Sequence, residues 1–261
     1  MEYLLSISGL SKRFGGIQAL TDVSFDVPKD RIQGLIGPNG AGKTTMFNCI
    51  TGVYKPTTGD ILFQPQKHIL RINGLIPEKI TYLGIARTFQ NIRLFTSLTV
   101  LDNVRIGRHC RMQAGFFSSV LRTRTQRIEE AQVVEDAMRW LSFVGLTRMA
   151  FDAAGNLAYG DQRRLEIARA LASEPAILLL DEPAAGMNPT ETAQLKELIH
   201  AIVDAGITVI LIEHDMKLVM TICEHLVVLD HGLRIAQGSP DEIRSDPAVI
   251  EAYLGRGAAH A

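Results

Sequence analysis

Ile32-Gln33-Gly34-Leu35-Ile36-Gly37-Pro38-Asn39-Gly40-Ala41-Gly42-Lys43-Thr44-Thr45 decides how the rest of the chain is read. An apolar run of strand length, Ile32 to Ile36, enters a glycine-rich loop, and Lys43 to Ile50 continues with a helical pattern. Gly52 stands where a capping glycine is expected. Gly37 to Thr44 has the spacing GxxxxGK followed by Ser or Thr. In such a loop glycines let backbone N–H groups wrap phosphate, the lysine reaches the outer phosphates, and the following hydroxyl can ligate Mg²⁺. The helix beginning at Lys43 points its positive end at the same anion. Gly37, Pro38, Asn39, Gly40, Ala41, Gly42, Lys43, Thr44 and Thr45 are therefore the expected nucleotide contacts, with Thr44 also a metal ligand.

Downstream, strand and helix alternate. Ala176 to Leu180 is apolar throughout, as a strand buried on both faces of a parallel sheet should be, and ends in Asp181-Glu182-Pro183. Ligands of open α/β sheets bind at that end of the strands. Asp181 is placed to hold Mg²⁺ and Glu182 to accept a proton from an attacking water. Asp161 to Ser173 and Pro189 to Ala205 carry helical periodicity, with Leu195, Leu198, Ile199 and Ile202 on one face of the second. Ile207 to Ile212 is another apolar strand. The first 30 residues suggest short strands, at Leu4 to Ser8 and Val23 to Val27, and residues 53–90 suggest strands and turns. From 91 to 160 the pattern is mostly helical, clearest over Glu129 to Val144. The expected architecture is one α/β domain with a mainly parallel sheet and an N-terminal antiparallel β portion. Its core covers 1–90 and about 161–240, with a helical insertion at about 91–160 and a helical tail at about 240–255.

Composition excludes several classes. The chain has 261 residues, 46% apolar and 21% charged, which rules out bulk disorder. Its 27 basic against 28 acidic side chains give a net charge of −1, so no global basic field points to nucleic acid. Cys49, Cys110 and Cys223 are widely spaced and form neither a metal motif nor a disulfide framework. No signal-peptide pattern opens the sequence, and the apolar runs fall far short of the ~18 residues that span a bilayer. Any membrane role is expected to come through partners.

Taken together, these motifs resemble the nucleotide-binding subunit of ABC transporters, over Leu10 to Gly255. The resemblance implies a P-loop ATPase fold and several further roles. Phe14, in Arg13-Phe14-Gly15-Gly16, matches the aromatic that stacks on adenine, although a core phenylalanine would read the same way. Gln90, in Arg87-Thr88-Phe89-Gln90, matches the glutamine that touches Mg²⁺ and water. His214, in Glu213-His214-Asp215, matches the switch histidine near the γ-phosphate. Ala158, Tyr159, Gly160 and Asp161 occupy the signature, normally Ser-Gly-Gly-Gln after Leu, which contacts ATP held by the opposite subunit of a head-to-tail dimer. Three of those four positions depart from the pattern. Asn188 stands where an aspartate is usual, and Asn188-Pro189 with Glu191 equally makes a helix cap.

The variant signature and the stretches Arg87 to Phe95, Ile212 to Met220 and Ala252 to Gly255 are similar to the larger ATPase of the bacterial high-affinity branched-chain amino-acid importer. That resemblance implies ATP and Mg²⁺ as cofactors and dimerisation with a second ATPase or with itself. It further implies two membrane permeases, a periplasmic binding protein and a place on the cytoplasmic face of the inner membrane. Other amino acids, urea or amides, or lipopolysaccharide export remain alternative cargoes, and a soluble ABC ATPase without a transport role is the remaining alternative. Arg105, Arg108, Arg111, Arg122, Arg124 and Arg127, with Phe116 and Phe117, form either a solvated face or a contact with permease or lipid headgroups.

Overall fold

A computed structural model describes residues 3–66, 68–108 and 124–254. The chain opens with a hairpin of two twelve-residue strands, β1 (Tyr3–Phe14) and β2 (Ile17–Pro28). Both are far longer than the sequence alternation suggests. Register shifts between Ile7 and Leu10 and between Leu10 and Lys12 break the period-two pattern, so the outer half of the ribbon reads as polar loop. β4 (Thr58–Phe63) and β5 (Leu70–Arg71) complete an antiparallel sheet of order β2-β1-β4-β5.

The second sheet has six strands in the order β10-β9-β3-β8-β7-β6. β3 (Ile32–Ile36), β6 (Ile85–Arg87), β7 (Ile177–Asp181), β8 (Thr208–Ile212) and β9 (His225–Asp230) run parallel, and β10 (Leu233–Gly238) is antiparallel to β9. Every residue of β3, β7 and β8 is buried, as their unbroken apolar runs require. The pleat then divides the core in two. Leu178, Leu180, Val209, Leu211 and Val228 face one apolar cluster. Leu35, Leu179, Ile210, Ile212, Val227 and Leu229 face the other, shared with the antiparallel sheet.

α1 (Lys43–Ile50) packs Met46, Phe47 and Ile50 into the second cluster. The first is covered by α3 (Val100–Arg108), α4 (Arg124–Phe143), α5 (Tyr159–Leu171), α6 (Pro189–Asp204) and α7 (Met216–Ile222), which all contribute buried residues to it. α2 (Pro77–Leu83) was not anticipated. It is one short helix burying only Ile80, with Pro77 at its first turn and Gly84 closing it. α8 (Pro240–Ser245) and α9 (Pro247–Leu254) end the described chain. Among the described residues no helix is long and apolar enough to cross a membrane.

The arginine-rich stretch is partly outside the described residues: Cys110, Arg111, Phe116, Phe117 and Arg122 fall there, as does Gly255. Arg105 pairs with Asp102 at 2.8 Å, and Arg108 bridges Asp136 at 3.1 Å and Glu174 at 2.9 Å. These two guanidiniums are engaged within the fold.

Candidate functional site

The carboxyl ends of β3, β6, β7 and β8 lie along one edge of the parallel sheet, and each delivers one part of the site. β3 runs into the phosphate loop. Gly37 has φ 148°, and a Cβ there would come within 2.0 Å of the Leu229 carbonyl oxygen. Gly42, at φ 103°, caps α1 in a left-handed conformation with Ala19 O only 2.7 Å from where a Cβ would stand. Both glycines are thus demanded by close backbone approach. Gly40 faces open space instead, as a position receiving a ligand should. The turn after β9 braces the loop, with Gly232 N–H donating to Ala41 O at 3.0 Å.

Lys43 is buried, and its Nζ donates to the carbonyls of Gly37 at 2.6 Å and Pro38 at 3.0 Å. The ammonium is therefore held inside the loop that it would share with phosphate. A cleft of about 350 Å³ opens here, lined by Asn39, Gly40, Ala41, Gly42, Lys43, Thr44 and Thr45 and, from elsewhere, by Ile17, Gln18, Ala19, Glu182, His214 and His231. From the far end of the chain α9 brings Tyr253 to the same loop. Burial pushes its phenol up to about 12, while Gly37 N–H donates to it and opposes the rise.

β7 ends in the two acids. Asp181 is buried and its Oδ2 accepts from Arg87 NH2 at 2.7 Å, while Arg87 NH1 donates to Asn48 Oδ1 on α1 at 2.6 Å. The Arg87 guanidinium also lies over the rings of Phe47 and Phe89, at 5.5 and 5.2 Å. Glu182 sits in the left-handed region at φ 49°, fixed by its N–H donating to Ile212 O at 2.8 Å. That backbone aims the carboxylate between two partners. Gln90 Nε2 donates to Oε2 at 2.7 Å, and His214 Nε2 meets Oε1 at 2.8 Å. Gln90 arrives there because Thr88 N–H extends the β6–β7 pairing to Leu179 O at 2.9 Å.

His214 follows β8, just before Asp215, whose side chain caps α7 by accepting from Lys217 N and Leu218 N. Buried Glu213 accepts from Ala184 N at 2.7 Å and His214 N at 3.1 Å, so it ties the loop after Glu182 to the histidine. Burial raises the pKa of Glu213, its backbone N–H partners oppose the rise, and the nearby Glu182 charge adds to it.

The donors offered for a divalent ion are oxygens: the Thr44 hydroxyl in the cleft, the Asp181 carboxylate at the strand end and the Gln90 amide. This hard set fits Mg²⁺, which is held by one or two carboxylates plus water and phosphate rather than by an all-protein cage.

Phe14 does not line the cleft. Its ring packs edge-on against Tyr54 at 5.0 Å under Lys12, and the large apolar side chain facing the cleft from this hairpin, beside the small Ala19, is Ile17, 72% exposed. The signature lies apart from this cleft, at the start of α5. Ala158 is the N-cap and offers no side-chain hydrogen bond, and Tyr159 is exposed. Gly160 packs against α6, where a Cβ would stand 2.7 Å from Glu191 Oε1. Asp161 pairs with Arg164 in its own helix. Asn188 and Glu191 form a reciprocal capping box on α6, so the capping reading of Asn188 holds. Ile17 and His231 carried no sequence signal, while Arg87 and Tyr253 lie in stretches that carry the resemblance but have no role assigned by it. Each reaches the site through a long-range contact.

A family model described as ABC transporter matches residues 20–185, and one described as branched-chain amino acid ATP-binding cassette transporter matches 234–259. The chain is 48% identical to the high-affinity branched-chain amino acid transport ATP-binding protein LivG of Escherichia coli (strain K12), over 97% of this chain and 98% of that protein. It is equally similar, over the same shares, to the high-affinity branched-chain amino acid transport ATP-binding protein BraF of Pseudomonas aeruginosa. Its fold matches the ADP conformation of an ATP-binding cassette of an ABC transporter, with TM-score 0.83 and 32% identity over 98% of this chain and all of that one. With the phosphate loop, the paired acids, Gln90 and His214 gathered at one sheet edge, the chain belongs to the ABC transporter family as one of its ATP-binding cassettes.

Proposed function

We propose that this chain hydrolyses ATP, with Mg²⁺, to drive uptake of branched-chain amino acids through two membrane permeases. Glu182, held between Gln90 and His214 at the mouth of the phosphate-loop cleft, is the observation that carries the reading. Lys43 and the loop N–H groups bind the phosphates, and Thr44 with Asp181 would hold the metal. Mg²⁺, when bound, neutralises charge on the phosphate oxygens and aligns them. Glu182 orients a water and takes its proton as the water oxygen attacks the terminal phosphorus, releasing phosphate from ADP. His214 donates through Nε2 to the carboxylate and keeps it facing the attack line. The proposed cargo follows the relatives' names and the match at 234–259. The signature end of α5, presenting Tyr159 outward, would face the ATP of a second cassette, on the cytoplasmic side of the membrane.

The test compares variants of the full chain. Lys43→Ala should lose binding of a fluorescent ATP analogue, because the phosphates lose their buried cationic partner. Glu182→Gln should retain binding while hydrolysis falls by on the order of 10²-fold or more. Wild-type turnover in Glu182→Gln overturns the proton-acceptor role. In cells lacking the chain, uptake of labelled leucine, isoleucine and valine should return with wild type and not with Glu182→Gln. Uptake that does not depend on the chain overturns the cargo.

A further inference from the structure

Arg163, the fifth residue of the signature helix, has no exposed surface at all. Arginine is almost never fully buried unless paired, and here its fork is spent on one segment. NH1 donates to Phe89 O at 2.6 Å and meets Glu166 Oε2 at 2.9 Å, while NH2 donates to Gln90 O at 2.8 Å and to the Tyr159 hydroxyl at 3.3 Å. Glu166, equally buried, turns its other oxygen to the N–H groups of Phe89 at 3.4 Å and Arg93 at 3.3 Å. The pair thus grips both donors and acceptors of one short stretch. That stretch lies in neither a helix nor a strand, so no ladder fixes its backbone.

The stretch contains Gln90, whose exposed side chain reaches Glu182. Two adjacent carbonyls held by one rigid planar fork fix the orientation of the peptide between them, which a single ammonium on a flexible stem cannot do. We infer that Arg163, backed by Glu166, is a positioning residue that sets Gln90 against Glu182. The inference rests on Glu182 being the proton acceptor. It also makes Tyr159, one of the three departing signature residues, the outer end of a continuous set of contacts that runs through Arg163 and the Gln90 peptide to the acid.

Removing Arg163 alone strands the buried Glu166 charge and endangers folding, so the full chain is tested as Arg163→Met/Glu166→Met and separately as Arg163→Lys. Amide hydrogen exchange over residues 88–94, without nucleotide, should quicken by about tenfold in both, with the sheet core unchanged. Binding of the fluorescent ATP analogue should stay within about twofold, while turnover falls by about tenfold. Added to Gln90→Ala, either change should lower turnover no further, because its effect already passes through Gln90. Unchanged exchange over 88–94, or losses that multiply on the Gln90→Ala background, overturns the assignment. Arg163→Lys carries the same test should the double variant not fold. The exchange readout is independent of chemistry, so it stands even where wild-type turnover of Glu182→Gln removes the proton-acceptor reading.

Discussion

Arg87→Met tests whether the acid ending β7 depends on a buried counter-ion. The side chains of Arg87 and Asp181 are only 7% and 5% exposed, so water cannot replace the guanidinium once it is gone. Asp181 would be left buried without its ionic partner, and Asn48 would lose a 2.6 Å donor. Breaking a buried pair from one side costs roughly 3–5 kcal/mol, and the lost neutral-acceptor bond about 1 kcal/mol. Methionine returns part of this by packing between Phe47 and Phe89, as an unbranched thioether does. A net loss of about 4 kcal/mol follows, which for a chain of this length lowers the melting temperature by roughly 8–16 °C. The assay is urea unfolding followed by far-UV circular dichroism, on wild type, Arg87→Met, Asp181→Leu and the double variant. Removing both charges should recover most of the loss, giving a coupling of opposite sign to the two single effects. A loss below about 1 kcal/mol, or a double variant no more stable than Arg87→Met, would mean that the pair is solvated and that the reasoning fails.

Ala158→Ser places a hydroxyl at an N-cap that has none, which should stabilise the chain by about 1 kcal/mol in the same urea assay. In a Glu182→Gln background it should also lower the ATP concentration giving half-maximal dimer by light scattering. No shift would mean that the hydroxyl is consumed by its own helix. Cys49 and Cys223 are buried, and desolvation pushes their thiols up to about 11 and about 12. At pH 8 their thiolate fractions are about one thousandth and one ten-thousandth, so iodoacetamide should modify neither in the native chain and both after unfolding, as read by mass spectrometry.

The parts of the site that sequence made legible are those whose function needs a local pattern. β3 with its loop, the all-apolar β7 before Asp181, β8 before His214 and the inward face of α6 each announce themselves within a dozen residues. What stayed hidden is set by contacts far apart in the chain. Arg163 and Arg164 are neighbours in a polar run, yet the first is fully buried and the second is not. Only the packing of Phe89 to Arg93 against α5 distinguishes them. Arg87 reads as an ordinary strand-end arginine until β6 pairs with β7 and sets it beside Asp181. The turn carrying His231, and Ile17 on the opening hairpin, enter the cleft through backbone bonds to Gly232, from Thr21 N–H and to Ala41 O, that no periodicity encodes.

The strand that carries the phosphate loop lies between β8 and β9, so its immediate neighbours are the last of the parallel strands to be made. β3 ends at Ile36 and β9 at Asp230. At the usual ~5–20 residues per second of synthesis, about 10–40 s separate the two on a ribosome. Until β8 and β9 are made the loop has a sequence but no complete sheet to hold it, and β3, joined by β7 only late in that interval, is exposed with open edges. The nucleotide site of this chain is therefore a late product of translation. Nucleotide can hold the newborn fold together only after β9 has been made, and until then protection of those strands falls to whatever shields nascent chains in the cell.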